Sequence, residues 1–243
     1  MTLHILDHVF FLAIAVALPI HGHFWLRKRA ALIKAGRTEL RMALYRTTIR
    51  DEWVLALVLA GLWFGLGRGG SELGLGLPGG LVAWAGYALA ALICPLLLIQ
   101  LKSGTPEDLA SLRKQFGKLS YLLPHTVAER RTFDAVSVTA GICEELLYRG
   151  FGIAYLTSLL GVPFWAAALI CSVVFGFAHS YQGPLGVVRT AGVGLALALL
   201  YGLTGALWAP IVVHAVMDLT AGRMAHAAFS ESDPKGTPTE QAA

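Results

Sequence analysis

Seven long apolar stretches set the strongest limit on what this chain can fold into, because about 20 apolar residues cross a bilayer as a helix. Charged residues make up only 14% of the 243 residues, and hydrophobic residues make up 56%. A soluble domain carries about 25% charged residues and could not hide so much apolar surface in one core. The sequence therefore predicts an all-α, multi-pass membrane bundle, and it excludes a disordered chain, a disulfide scaffold and a cytosolic enzyme.

The predicted spans are residues 3–26, 53–66, 81–101, 133–160, 163–181, 185–201 and 207–225. The fourth stretch is long enough to break near Gly150-Phe151-Gly152, so about seven or eight spans are expected. Three regions follow from this layout. Residues 1–132 hold N-terminal spans, basic loops and an interfacial helix, residues 133–226 form a membrane core, and residues 227–243 form a polar, disordered tail.

Basic residues concentrate in two of the predicted loops. Eight of the 19 Lys and Arg residues lie between Arg27 and Arg50, and six lie between Lys102 and Arg131. This positive-inside pattern predicts an N-terminus outside a membrane, most simply the bacterial inner membrane. It also predicts membrane lipids as partners, whereas no module for nucleic-acid binding is present.

The interfacial helix is predicted from Thr105-Pro106 onward, because a hydroxyl cap followed by proline is typical of a helix start. Apolar residues then recur on one face, while basic residues are available to the other. Such a helix lies along a membrane surface. The apolar face consists of Leu109, Leu112, Phe116 and Leu119.

Ionisable residues inside the C-terminal spans are the strongest functional signal. Each costs about 2.5 to 3.5 kcal/mol on insertion scales and marks function by default. They include Glu144, Glu145, Arg149, His179, His214 and Asp218. Glu145 and Arg149 are i,i+4 neighbours and can pair within one helix, whereas Glu144 points about 100° away around the helix and can face another one.

This set of side chains is suited to peptide hydrolysis. A buried carboxylate is a competent general base for water, an adjacent imidazole can share the proton, and a second polar pair can stabilise an oxyanion. Nucleophilic catalysis is less favoured, since no G-x-S-x-G occurs and Cys143 lacks an i,i+4 histidine. The zinc motif H-E-x-x-H is also absent.

At these residues the sequence resembles the CAAX prenyl protease and bacteriocin-processing family of intramembrane endopeptidases. Three motifs match in order: E-E-x-x-x-R at Glu144, Glu145 and Arg149, F-x-x-x-H at Phe175 and His179, and H-x-x-x-N/D at His214 and Asp218. The resemblance covers about residues 124–222. It implies a helical membrane fold and cleavage of a membrane-associated protein or peptide, possible substrates including prenylated C-a-a-X proteins.

The resemblance also implies roles for the individual residues. Glu144 with His179 would activate water, Glu145 and Arg149 would hold the helices, and His214 with residue 218 would form the oxyanion site. The prenyl proteases of eukaryotes have Asn where this chain has Asp218, and an ionised Asp cannot donate to an oxyanion. Two alternatives therefore stay open: Asp218 orients His214, or the whole set binds a divalent metal such as Zn²⁺. The metal ligands would be Glu144, His179, His214 and Asp218, but a glutamate-type protease without a cofactor is favoured over a metalloprotease.

Two other functions remain open from the sequence. A non-catalytic membrane scaffold or immunity-type factor could share the family's motifs. A proton-coupled transporter could also use buried acids and histidines, although the paired broken spans of many transporters are missing.

Overall fold

A computed structural model describes residues 1–102 and 105–230 of the chain. Apart from short 3₁₀ turns, these residues form eight helices and no strand. The helices are α1 (Ile5–Lys34), α2 (Glu39–Gly65), α3 (Leu81–Ile99), α4 (Pro106–Phe116), α5 (127–160), α6 (Phe164–Ala178), α7 (Pro184–Thr204) and α8 (Trp208–Phe229). The prediction of an all-α fold is confirmed.

Three helices are long and apolar enough to cross a membrane, namely α1, α3 and α7, and α6 is a shorter apolar helix. Large apolar side chains such as Leu81, Trp84 and Val188 are exposed on the outside of the bundle. A bilayer would cover this surface, whereas water would not tolerate so much of it. The fold is that of an integral membrane protein, and the number of crossings and their direction stay predictions.

The fifth helix, α5, is continuous through Gly150-Phe151-Gly152. It is α-helical over Val127–Glu144, π-helical over Glu145–Gly152 and α-helical again over Ile153–Leu160. The glycines serve close packing and do not end the helix: a Cβ on Gly150 would lie 2.8 Å from the Leu73 carbonyl oxygen, and one on Gly152 would lie 2.7 Å from Cys171 Sγ. The alternative of a break near Gly150 therefore does not occur in this helix.

The predicted interfacial helix is present as α4. Thr105 caps it by accepting a hydrogen bond from the Asp108 amide at 3.2 Å. The four apolar residues of the predicted face are partly buried, whereas Arg113 and Lys114 are exposed. The Arg113 guanidinium also donates to the Ala228 carbonyl oxygen, so α4 packs against the end of α8.

Two predicted region boundaries fall inside helices. The boundary between residues 132 and 133 lies within α5, which begins at Val127 with Thr126 as its cap. The last helix continues to Phe229, which is three residues into the predicted tail. Residues 231–243 of that tail lie outside the described residues.

Candidate active site

The candidate site lies where α5, α6 and α8 meet, and a glycine brings two of these helices together. A Cβ on Gly141 would lie 2.8 Å from Ala215 Cβ and 2.9 Å from the Ala215 backbone nitrogen. Real side chains do not approach so closely, so only glycine allows α5 and α8 to pack at this distance. The contact lies one turn before Glu144 on α5 and next to His214 on α8.

Glu145 forms the buried centre of the cluster. Its Oε1 lies 3.0 Å from Arg149 Nη1 and 2.8 Å from His214 Nδ1. The predicted pair of Glu145 with Arg149 is therefore present, but its link to His214 was not predicted. All three side chains are at most 5% exposed, so the contacts form in an environment that strengthens electrostatic interactions.

Arg149 extends these contacts to two more helices. Its Nη2 donates to the Gly194 carbonyl oxygen of α7 at 3.2 Å. Its guanidinium lies over the Phe175 ring of α6, 4.3 Å from the centroid. The same ring contacts Tyr148 and His179, with centroids 5.1 Å and 4.7 Å away. Phe175 of the F-x-x-x-H motif is therefore the aromatic surface on which the site packs, a role that sequence reasoning missed.

Glu144 points away from Arg149, as predicted, and faces the two histidines. Its Oε1 lies 3.8 Å from His179 Nε2, and its Oε2 lies 3.7 Å from His214 Nε2. These distances are too long for direct hydrogen bonds, and separations of this size are commonly bridged by water. The Glu144 side chain is 15% exposed, whereas Glu145 is completely buried, so only Glu144 is open to a reactant.

The hydrogen bonds of the histidines decide which ring nitrogen carries the proton. His179 Nδ1 lies 2.9 Å from the Phe175 carbonyl oxygen, which can only accept, so Nδ1 must donate. In neutral His179 the Nε2 lone pair is then free and faces Glu144. His214 Nδ1 likewise donates to the Glu145 carboxylate, so His214 Nε2 carries a proton only in the imidazolium form.

Asp218 reaches His214 on the other side of the ring. Its Oδ2 lies 3.7 Å from His214 Nε2, and its side chain is 35% exposed. The hydrogen bond that orients His214 therefore goes to Glu145. The alternative in which Asp218 orients His214 is not supported by this geometry, which leaves the Asp218 carboxyl facing the same space as Glu144.

Sequence reasoning also missed Glu52 on α2. Its Oε2 is enclosed and has no hydrogen-bond partner among residues 1–102 and 105–230. The side chain interacts electrostatically with Glu144 and Asp218, so α2 contributes a further carboxyl group to the site. The sequence contains one signal for this residue, namely an acidic side chain directly before the second predicted span, which begins at Trp53.

The donors that would hold a metal are chemically suitable but not arranged as a metal site. Imidazole and carboxylate groups are ligands that Zn²⁺ accepts. Across residues 1–102 and 105–230, however, no group of three or more His, Cys, Asp or Glu side chains could hold a metal ion. We therefore derive no step through a metal.

Fold and site together define a helical membrane protein with a buried site of carboxylates and imidazoles. Residues 132–220, just over a third of the chain, match the family model described as Type II CAAX prenyl endopeptidase Rce1-like. This match confirms the resemblance that the motifs indicated. The comparisons with curated proteins and with solved structures gave no significant match.

Proposed function

We propose that the protein is an intramembrane endopeptidase that hydrolyses a peptide bond by means of Glu144 and His179. The observation that carries this proposal is that Glu144 Oε1 faces His179 Nε2 at 3.8 Å, while His179 Nδ1 is occupied by the Phe175 carbonyl oxygen. Both groups are hydrogen-bond acceptors, neither is occupied by the other, and both are partly accessible. A water molecule that donates to both would be oriented and activated for attack on a carbonyl carbon.

We propose that His214 stabilises the oxyanion. Glu145, Glu144 and Asp218 surround its ring, and a proton on Nε2 belongs to the imidazolium form. In that form Nε2–H can donate to the oxyanion that develops when water attacks. Asp218 contributes a hydrogen-bond donor to the same oxyanion only if it is protonated. The catalytic type that we propose is accordingly that of a glutamate protease.

The CAAX-type family implies a membrane-associated protein or peptide as the substrate. We propose that the enzyme lies in the bacterial inner membrane with its N-terminus outside. A prenylated C-a-a-X peptide and an unprenylated membrane peptide are both candidates, and both serve as substrates in the test.

The test uses the purified full-length protein in vesicles with both peptides, with and without a chelator. Glu144→Gln should lose at least about 100-fold in cleavage rate, since a general base contributes 10²–10⁴-fold. Glu107→Gln, an exposed glutamate of α4, is the matched control and should cleave at the wild-type rate.

Cleavage that persists in Glu144→Gln would refute the proposal. Cleavage that is lost with chelator and returns with added Zn²⁺ would replace the glutamate mechanism with a metal-dependent one. Solute flux that depends on Glu144, in vesicles that cleave neither peptide, would instead support the hypothesis of a proton-coupled transporter.

A further inference from the structure

Glu52 lies beside Glu144 because α2 and α5 run in the same direction in a constant register. Three contacts define this register: Arg41 Nη1 with Glu129 Oε1 at 2.7 Å, the ring centroids of Tyr45 and Phe133 at 5.4 Å, and Trp53 Nε1 with Thr139 Oγ1 at 3.2 Å. The paired residues differ in number by 86 to 88 in every case. Glu52 is therefore level with residues 138–140, one to two helical turns before Glu144.

The charges that act on Glu52 are all of one sign. It interacts electrostatically with the carboxylates of Glu144, Asp218 and Asp51. Arg149, the buried arginine of the site, pairs with Glu145 and the Gly194 carbonyl oxygen instead. An ionised Glu52 would thus be a poorly compensated charge among carboxylates, which is the situation that keeps one carboxyl group of a cluster protonated.

The count of charges in the site leads to the same result. Four carboxyl groups share it, namely Glu52, Glu144, Glu145 and Asp218. Only Arg149 and, when protonated, the two histidines can compensate them, so even three cations leave the cluster negative. This excess of carboxyl groups favours a proton on one of them, and among the described residues Glu52 has an enclosed oxygen without a hydrogen-bond partner.

We propose that Glu52 is the general acid of the site and protonates the leaving amine, while Glu144 is the general base. This proposal rests on the proposed function. Two carboxyl groups in different environments divide these tasks in other hydrolases: the one that is better compensated acts as the base, and the one that stays neutral acts as the acid. Glu144 lies between two imidazoles, whereas Glu52 lies among carboxylates.

The protons and electrons balance as follows. Glu144 takes one proton from water, the water oxygen forms a bond to the carbonyl carbon, and the carbonyl π electrons move to oxygen. When the tetrahedral intermediate collapses, the carbon–nitrogen bond breaks and its electron pair goes to nitrogen. The nitrogen takes the Glu52 proton, and the proton held by Glu144 then returns to Glu52. The net change is peptide plus water to acid plus amine.

Two substrates with the same acyl part test the division of roles. One is the cleaved peptide, whose amine must be protonated to leave, and the other is its 4-nitrophenyl ester, whose leaving group departs as an anion. Glu52→Gln should lose about 100-fold in kcat on the peptide but stay within about threefold of wild type on the ester, because a general acid contributes 10²–10⁴-fold only where a proton is needed. Glu52→Asp keeps the acid and should recover about tenfold of the loss on the peptide.

Glu107→Gln is again the matched control, since Glu107 is an exposed glutamate of α4. It should cleave both substrates at wild-type rates. A Glu52→Gln variant that cleaves the peptide normally, or that loses the same factor on both substrates, overturns the proposal. So does a Glu52→Asp variant as inactive as Glu52→Gln. In each of these outcomes Glu144→Gln would still be inactive, so the proposed function would stand. An active Glu144→Gln variant would instead overturn the proposed function.

Discussion

Replacing Arg149 by Met tests whether the buried cluster around Glu145 holds the site together. Arg149 is 2% exposed and Glu145 is completely buried, and the guanidinium contacts α5, α6 and α7. Methionine keeps much of the apolar volume but removes the charge, so Glu145 would retain only His214 as a partner. Breaking one side of a buried ion pair typically costs about 3 to 5 kcal/mol. We expect Arg149→Met to lower the free energy of unfolding by about that amount.

The measurement is equilibrium unfolding of the purified protein in mixed micelles. Arg50→Met is the control, because the Arg50–Asp51 pair is exposed on both sides and should contribute less than about 1 kcal/mol. Adding Glu145→Gln to Arg149→Met should recover about 1 to 3 kcal/mol, since it removes the buried charge that was left unpaired. A loss below about 1 kcal/mol in Arg149→Met, or no recovery in the double variant, would show that the pair does not stabilise the helix arrangement.

Two further substitutions test packing and the N-terminal attachment. Gly141→Ala should lower the free energy of unfolding by about 1 to 3 kcal/mol and lower the cleavage rate, because its Cβ would overlap Ala215. Gly192→Ala is the control and should not destabilise the protein, because its Cβ would meet open space. Equal effects of the two substitutions would contradict the close packing of α5 and α8. Asp7 is the buried partner of Arg68, whose Nη1 and Nη2 donate to its carboxylate at 2.7 and 2.6 Å. Asp7→Asn should lower the free energy of unfolding by about 3 to 5 kcal/mol, while the molecules that fold cleave at the wild-type rate. A slower rate per folded molecule would refute a purely structural role.

The separation of Glu144 from Glu145 shows how far helical geometry reaches. Two adjacent residues on a helix differ by about 100°, so the sequence alone assigns one of them to Arg149 and the other to a neighbouring helix. Both assignments agree with the contacts. The link from Glu145 to His214 could not be predicted in this way, because it joins residues 69 positions apart and depends on the approach that Gly141 allows.

The continuity of α5 through Glu145–Gly152 and the position of Glu52 both depend on packing between helices. Glycines near position 150 indicated a break, because local propensity contains no information about what packs against them. In the fold, the space beside these glycines is filled by Leu73 and Cys171, and the helix continues. Glu52 reads as an ordinary acid at a span boundary until the register of α2 against α5 brings it beside Glu144.

The sequence by itself determined the membrane environment, the all-α fold, the resemblance to CAAX-type endopeptidases and the ionisable residues that gather at the site. These features follow from composition, helical period and short motifs, which are properties of neighbouring residues. Only the tertiary structure decided that Glu145 rather than Asp218 orients His214, that Phe175 supports the cluster, and that Glu52 belongs to it. Each of these contacts joins separate helices, and the distance between helices is determined by side-chain packing, which local sequence patterns do not contain.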